Sequence, residues 1–301
     1  MEDKPKLATI GDYWDEQTTK EIVSLLQEYE DLFPSSVVDL KVIKGDMAEM
    51  WIILKPGARP LEHRSYRLNP RVKEKVKVEI DKMLKVRLIF LVEESKWVSP
   101  IVIKNKKEKS EIQVYVNYRS LNNAYIHDPF PTPFSDEVLD NVARNEAYSF
   151  TDGFSGYHQV RIVEEDNKNT SFTTEWGSFA YNVMPFGLKN APTVFSCIVI
   201  AAFREYIHKF LEVYMDDWEV YNILKVHATL LRIIFDRCRQ LHISLNLNKC
   251  IFAILFGTLL GHVVCTQGVC VDLAKVAVIV NMEAPEMVKN LRSLLVHIGY
   301  Y

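Results

Sequence analysis

Two adjacent aspartates, Asp216 and Asp217, interrupt a stretch that is otherwise apolar: Phe-Leu-Glu-Val-Tyr-Met-Asp-Asp-Trp-Glu-Val-Tyr at 210–221. Like charges side by side repel, while Leu211, Val213, Tyr214, Trp218, Val220 and Tyr221 call for burial in strands. A buried β-hairpin with the acidic pair at its turn meets both demands. A bare Asp-Asp dipeptide is an ordinary solvated turn. The apolar arms on both sides set this one apart, and a bound cation would relieve its repulsion.

The rest of the chain reads as mixed helix and strand. An acidic amphipathic helix is expected over 16–29, with Asp15 or Thr18 as its N-cap. A second should start after Asn69 and Pro70 and run to about Lys85, burying Val72, Val76, Ile80, Met83 and Leu84. Strands are expected at 98–103 and 112–116 around a polar loop at 104–110. More follow at 147–152, 159–163, 170–174 and 179–183, with hairpin arms at 210–214 and 218–221. Helices are expected at 135–142, after Pro192, and over 226–241. Strands near 259–264 and 269–271 then lead to helices at 273–281 and 287–298. There is no regular βαβ alternation, so the fold class is α+β.

Composition excludes several classes. With 301 residues, 48% hydrophobic and 25% charged, the chain is neither disordered throughout nor a disulfide scaffold. Its five cysteines are odd in number and lack zinc-ligand spacing, which suits a reduced, intracellular protein, cytoplasmic or nuclear. The first ten residues lack an apolar signal core. The longest apolar stretch, 251–265, is broken by Gly257, Thr258, Gly261 and His262. It is shorter than the roughly 20 residues a membrane span needs, so no membrane partner is expected. Net charge is −3 overall, but residues 55–109 carry 16 Lys and Arg against 7 Asp and Glu. That basic lobe suggests either a phosphate-facing surface or a solvated helix face.

Two-metal phosphoryl transfer needs carboxylates from different strands converging on one point, with ions about 3.5–4 Å apart. Magnesium takes oxygen ligands and keeps some water, so two or three aspartates and the substrate phosphates suffice. Asp152 at the end of an expected strand and the pair Asp216 and Asp217 meet that need.

At this point the motifs resemble a known family. Tyr-Met-Asp-Asp at 214–217 is similar to the Tyr-x-Asp-Asp signature of reverse transcriptases. Lys-Trp-Val-Ser-Pro at 96–100 and Asn-Tyr-Arg-Ser-Leu-Asn at 117–122 resemble the fingers motifs of Ty3/gypsy retrotransposon Pol polyproteins. Phe-Thr-Asp-Gly-Phe-Ser-Gly-Tyr-His-Gln at 150–159 resembles their first-aspartate strand. Met-Pro-Phe-Gly-Leu-Lys-Asn-Ala-Pro at 184–192 is near the family form. Leu-Asn-Leu-Asn-Lys-Cys at 245–250 and Leu-Gly-His at 260–262 resemble the segments leading to the primer grip. The order and spacing hold from about residue 50 onward, and the wording around both acidic motifs resembles a plant-like branch.

The resemblance implies a right-hand polymerase, an RNA-directed DNA polymerase of the nucleotidyltransferase class. A primer 3′-hydroxyl would attack the α-phosphate of a dNTP on an RNA or DNA template. Asp152 and Asp216 would hold two Mg²⁺ ions (Mn²⁺ as a substitute), with Asp217 as a more peripheral third carboxylate. Tyr157 matches the gate against a ribose 2′-hydroxyl. Met215, Phe186 and Gly187 would border the nucleotide and primer end. Lys104, Lys106, Lys107 and Lys109 lie in the expected fingertip loop, with Lys106 and Lys107 taken as nucleotide-binding. Leu260 and Gly261 match the primer grip, while His158 and His262 read as structural. The implied layout is an acidic linker at 1–50, fingers at 51–125 and 162–184, palm at 126–161 and 185–271, and the start of a truncated thumb at 272–301.

Three positions depart from the family pattern, all in the expected fingers. Gln113 stands where an arginine usually meets the triphosphate, and it brings no charge and no fork. Asn117 replaces an aspartate, and Lys109 with Ser110 replaces an Asp-Gly turn. Weakened dNTP binding over an intact metal site is the expectation. The rest of the thumb, RNase H and integrase lie outside this sequence, so a piece of a Pol polyprotein is expected. The alternative is a catalytically silent remnant that only binds nucleic acid or has no role.

Overall fold

The hairpin forms as its pattern demands. In the computed structural model, which describes residues 6–45, 48–64, 68–105, 112–131, 133–282 and 284–299, strand Leu211–Tyr214 turns back into Asp217–Asn222. Val213 faces Trp218 and Leu211 faces Val220 across the pair. The second arm also pairs antiparallel with Ala147–Asp152, placing this hairpin inside a five-stranded sheet. The sheet order is Thr9–Ile10, Ile251–Ile254, Ala147–Asp152, Asp217–Asn222, Leu211–Tyr214.

Alternation along these strands sends side chains to two different cores. Trp218 and Val220 face the helices Ala191–Phe203 and His227–Leu241, with the Phe203 ring 5.3 Å from Trp218. Tyr148 and Tyr221 face the opposite way. They pack with Val138, Leu139 and Val142 of helix Ser135–Val142 and with Leu259 and Val264. The sheet is thus filled on both sides, and one end carries the acidic residues.

The stretch expected as one strand over 259–264 is broken. Strands Phe256–Leu259 and His262–Cys265 are joined by Leu260 and Gly261, both at positive φ (48° and 78°), and Gly268–Val271 completes a three-stranded antiparallel sheet. Two consecutive left-handed residues are the requirement of a type I′ turn, which an apolar run does not announce. The strand expected over 159–163 shrinks to Arg161–Ile162, because Gly156–Gln159 forms a 3₁₀ turn.

The acidic N-terminal segment is folded against the rest of the protein over residues 6–45. Helix Glu16–Glu28, capped by Asp15 accepting from the Thr18 amide at 2.7 Å, buries Ile22, Leu25 and Leu26 at helical spacing. It lies along His227–Leu241, where Phe33 and Tyr29 reach Phe235 and arginines meet its acids. Thr9–Ile10 adds a parallel edge strand to the sheet, and Gly11 is needed there because a Cβ would fall on the Ala253 carbonyl oxygen. Ala253 lies at φ 52° in a bulge between Ile251 and Ile254, and its carbonyl accepts from the Trp14 indole at 2.7 Å.

A second lobe holds the ribbon Ile101–Asn105 with Ile112–Val116, the sheet Ile89–Leu91, Gly177–Tyr181, Phe172–Thr174, and helix Pro70–Lys85. Three lysines of that helix meet acids: Lys73 with Glu175, Lys77 with Asp81 and Lys82 with Glu79. Those pairs favour the solvated-face reading for part of the basic stretch. Helices Leu273–Val280 and Val288–Gly299 close the chain. Among the described residues no helix is long and apolar enough to cross a membrane.

Candidate active site at the hairpin tip

Strand register brings the acids together. Asp152, the last residue of its strand, stands directly opposite Asp217, and Asp217 in turn faces Tyr214. Met215 and Asp216 form the two-residue turn. Met215 holds φ 55° and is exposed, a left-handed conformation that costs a non-glycine residue on the order of 1 kcal/mol. The strand end is pinned from both sides: the Thr151 hydroxyl donates to the Trp218 carbonyl at 2.9 Å, and the Asn246 amide to the Asp152 carbonyl at 2.8 Å.

The electrostatics are those of a site short of positive charge. Burial raises the Asp216 pKa, and Asp217 and Asp152 push it further, against a hydrogen bond from Tyr157 and the field of Lys249. Asp217 is raised by desolvation and by Asp152. Asp216 Oδ1 is buried with no hydrogen-bond partner, a costly state for a carboxylate oxygen. Lys249 Nζ lies 3.0 Å from Asp152 Oδ2. Among the described residues no three His, Cys, Asp or Glu side chains are gathered tightly enough to hold an ion as they stand. Asp152 is turned to Lys249, and Asp216 to Tyr157. The donor set nevertheless suits a divalent oxygen-seeking ion: three carboxylates on one sheet end, one with an orphaned oxygen.

Tyr157 sits beside this tip. Burial and the Asp216 carboxylate hold its phenol well above the usual range. Its ring is 5.0 Å from Phe186 and 5.8 Å from Phe195. Gly156 lets it approach, since a Cβ there would sit 2.6 Å from the Phe195 ring. Phe186 is 45% exposed, so one aromatic wall stays open to a ligand. Gly187 takes φ 98°, and Asn122 fastens its loop: the amide donates to the Gly187 carbonyl at 2.8 Å and the side-chain oxygen accepts from Lys189 N at 2.9 Å. His158 is half-buried against Phe186, and desolvation lowers its pKa to about 4. Leu260 packs on the same apolar cluster as Tyr214, which ties the turn of Leu260 and Gly261 to the hairpin's own arm.

Other expected residues lie elsewhere. Lys104 is in a strand, not a loop: it faces Gln113 in register and its ammonium lies 5.6 Å from the Tyr115 ring centre. Gln113 accepts from the Tyr115 hydroxyl at 2.7 Å. Lys106, Lys107 and Lys109 lie outside the described residues. Sequence reasoning passed over Lys249, whose one signal was its place before Cys250 in a quoted motif. It also passed over Glu219, read only as part of an apolar arm. Glu219 is buried opposite Glu212, with Oε2 unpartnered; burial, Asp217 and Glu212 raise its pKa well above the ordinary value.

Comparison with known proteins agrees with this geometry. The family model described as reverse transcriptase (RNA-dependent DNA polymerase) matches residues 103–281. The retrovirus-related Pol polyprotein from transposon 412 of Drosophila melanogaster is 28% identical over 99% of this chain and 24% of its own length. That from transposon opus of the same fly is 30% identical over 94% of this chain and 28% of its own. The enzymatic polyprotein of cauliflower mosaic virus (strain CM-1841) is 30% identical over 74% of this chain and 34% of its own. The chain thus spans between about a quarter and a third of these relatives. The foamy viral protease–reverse transcriptase in complex with double-stranded DNA superposes with a TM-score of 0.83 at 21% identity, over 96% of this chain and 59% of that one. The same enzyme in complex with an RNA/DNA hybrid gives 0.81 at 21% identity, over 96% and 38%. The fold is the right-hand polymerase fold.

Proposed function

The chain belongs to the reverse transcriptase family, and from that premise we propose that it performs RNA-directed DNA polymerisation, adding dNTPs to a primer 3′-hydroxyl. The observation that carries the reading is the register pairing of Asp152 with Asp217 beside an Asp216 whose oxygen lacks a partner. Asp152, Asp216 and Asp217 would hold two Mg²⁺ ions, or Mn²⁺, which when bound supply positive charge to the reacting oxygens. Lys249 offsets part of the charge of Asp152. Tyr157 and Phe186, in ring contact, would wall the nucleotide side, with Tyr157 as the gate against a ribose 2′-hydroxyl that the family resemblance implies. Met215 meets the primer end from the exposed turn, and Leu260 with Gly261 supports it from the neighbouring sheet. The protein's work in such chemistry is positioning and charge compensation.

Finer assignments rest on sequence wording. We place the chain among Ty3/gypsy-type Pol polyproteins of a plant-like branch, acting inside the cell alongside RNase H and integrase domains. Fingers at 51–125 and 162–184, palm at 126–161 and 185–271, and a first thumb segment from 272 follow the same resemblance. Gln113 predicts weak dNTP capture, since its side chain is engaged by Tyr115 and carries no charge. That feature favours a second reading, a remnant that binds primer–template without extending it.

Mg²⁺-dependent extension of a DNA primer on an RNA template separates the two, with Asp216→Asn as control. Extension abolished in the control establishes the polymerase. Bound primer–template without extension establishes the remnant, and a salt titration of that binding would count its phosphate contacts.

A further inference from the structure

The three-stranded sheet beside the hairpin carries two thiols on one face. Val263 stands opposite Cys270, and Cys265 opposite Gly268, so Cys265 and Cys270 are diagonal neighbours across adjacent strands. Their Sγ atoms are 3.9 Å apart. Cys270 is exposed and Cys265 half-buried, whereas Cys238 and Cys250 are buried. The outer strand is exposed over its last three residues: Cys270 on the thiol face, and Val269 and Val271 on the other. A disulfide needs sulfurs at about 2.05 Å and Cα atoms within about 7 Å. Diagonal strand neighbours stand about 7–8 Å apart, so closure asks for rotation of both side chains and a small approach of two strands on a solvent-facing ribbon.

We propose that Cys265 and Cys270 form a redox modification site, a dithiol that a disulfide of the glutathione class closes to an intrachain bond. The Cys270 thiolate attacks one sulfur of oxidised glutathione, forming a mixed disulfide and releasing one glutathione thiolate. The Cys265 thiolate then attacks the Cys270 sulfur and releases the second. Two protein thiols lose two electrons and two protons, and one glutathione disulfide becomes two glutathiones. A hydrogen bond with Cys265 holds the Cys270 thiol above its ordinary range, so the reaction quickens toward alkaline pH. The bond would tie together the last two strands of the sheet whose turn holds Leu260 and Gly261. An effect on the grip of a primer end rests on the polymerase reading; the disulfide does not.

The test is intact-mass and peptide analysis of the full chain after exposure to oxidised glutathione. In the wild type the peptide pair should lose two hydrogens and retain no glutathione, while Cys265→Ser should keep one glutathione on Cys270. A lasting adduct on Cys270 beside a free Cys265 overturns the proposal. So do two free thiols in the wild type, whatever the variant does. Primer–template affinity, compared before and after oxidation, reads the consequence separately. A disulfide that leaves affinity unchanged counts against the primer-grip assignment of Leu260 and Gly261, not against the bond.

Discussion

Two acidic clusters among the described residues have surroundings that differ in sign. Near the N-terminus, Glu28 and Asp31 face the arginines of helix His227–Leu241: Glu28 meets Arg232 at 2.6 Å, and Asp31 takes two bonds from Arg239. The hydrogen bond from its arginine holds each carboxyl below its usual range. At the hairpin tip, Asp216 and Asp217 are raised instead, by burial first, with one lysine near the three aspartates. The first cluster completes a docked helix, its charge met by arginines. The second is left in deficit, and a binding site for cations needs that deficit. The lesson concerns compensation: acids matched with arginines contribute to the fold, while acids held together without enough counter-charge cost stability and are ready for a ligand.

The largest separation between the clusters should appear in catalysis. On the polymerase reading, Asp152→Asn or Asp216→Asn should lower primer extension by at least about a thousandfold, while Asp31→Asn leaves it unchanged. Equal losses in both would erase the distinction.

Cation binding comes next. Saturating Mg²⁺ should raise the melting temperature of the wild type by roughly 2–4 °C, with no rise in Asp216→Asn. A rise retained in that variant would put the bound ion elsewhere.

The pH dependences should run in opposite directions. A raised carboxylate penalises the fold above its folded pKa, and that penalty fades as pH falls and the group protonates. Metal-free Asp216→Asn should therefore be more stable than wild type at neutral pH, by about 1 kcal/mol, with the gap closing in acid. A lowered carboxylate stabilises above its unfolded pKa and loses that contribution as pH falls through the folded one. Asp31→Asn should be less stable at neutral pH, by less than about 1 kcal/mol given its exposure, with the deficit vanishing at low pH. Urea midpoints across pH measure both.

The smallest effect concerns the nucleotide side. Gln113→Arg should strengthen apparent dNTP binding a fewfold through restored charge, with no change in metal-dependent melting. Unchanged affinity would remove Gln113 as the reason for weak capture.

Much of this was legible in order along the chain. Helix Pro70–Lys85 shows its buried face at every third or fourth residue, and the hairpin shows a period of two on both sides of its acids. Asp152, Asp216 and Asp217 could be proposed to converge because one is expected at a strand end and the pair at a hairpin tip. Other features left no such mark. Thr9–Ile10 is two residues long and becomes a strand because an edge of the sheet stood open. The apolar run at 256–265 hid a reversal that two positive-φ residues make.

Local pattern therefore settled most of the longer helices and strands and which residues carry the carboxylates, because periodicity and charge are properties of neighbours in sequence. Which atoms meet was another matter. Lys249 at Asp152, Tyr157 at Asp216, the acidic helix on its arginines and Cys265 near Cys270 depend on register and on what the packed core leaves room for. Some of those partners lie about a hundred or more residues apart, as with Asp152 and Lys249 or Glu28 and Arg232, and no window along the chain contains both. They come together only when burial of two apolar faces fixes the sheet between its helices.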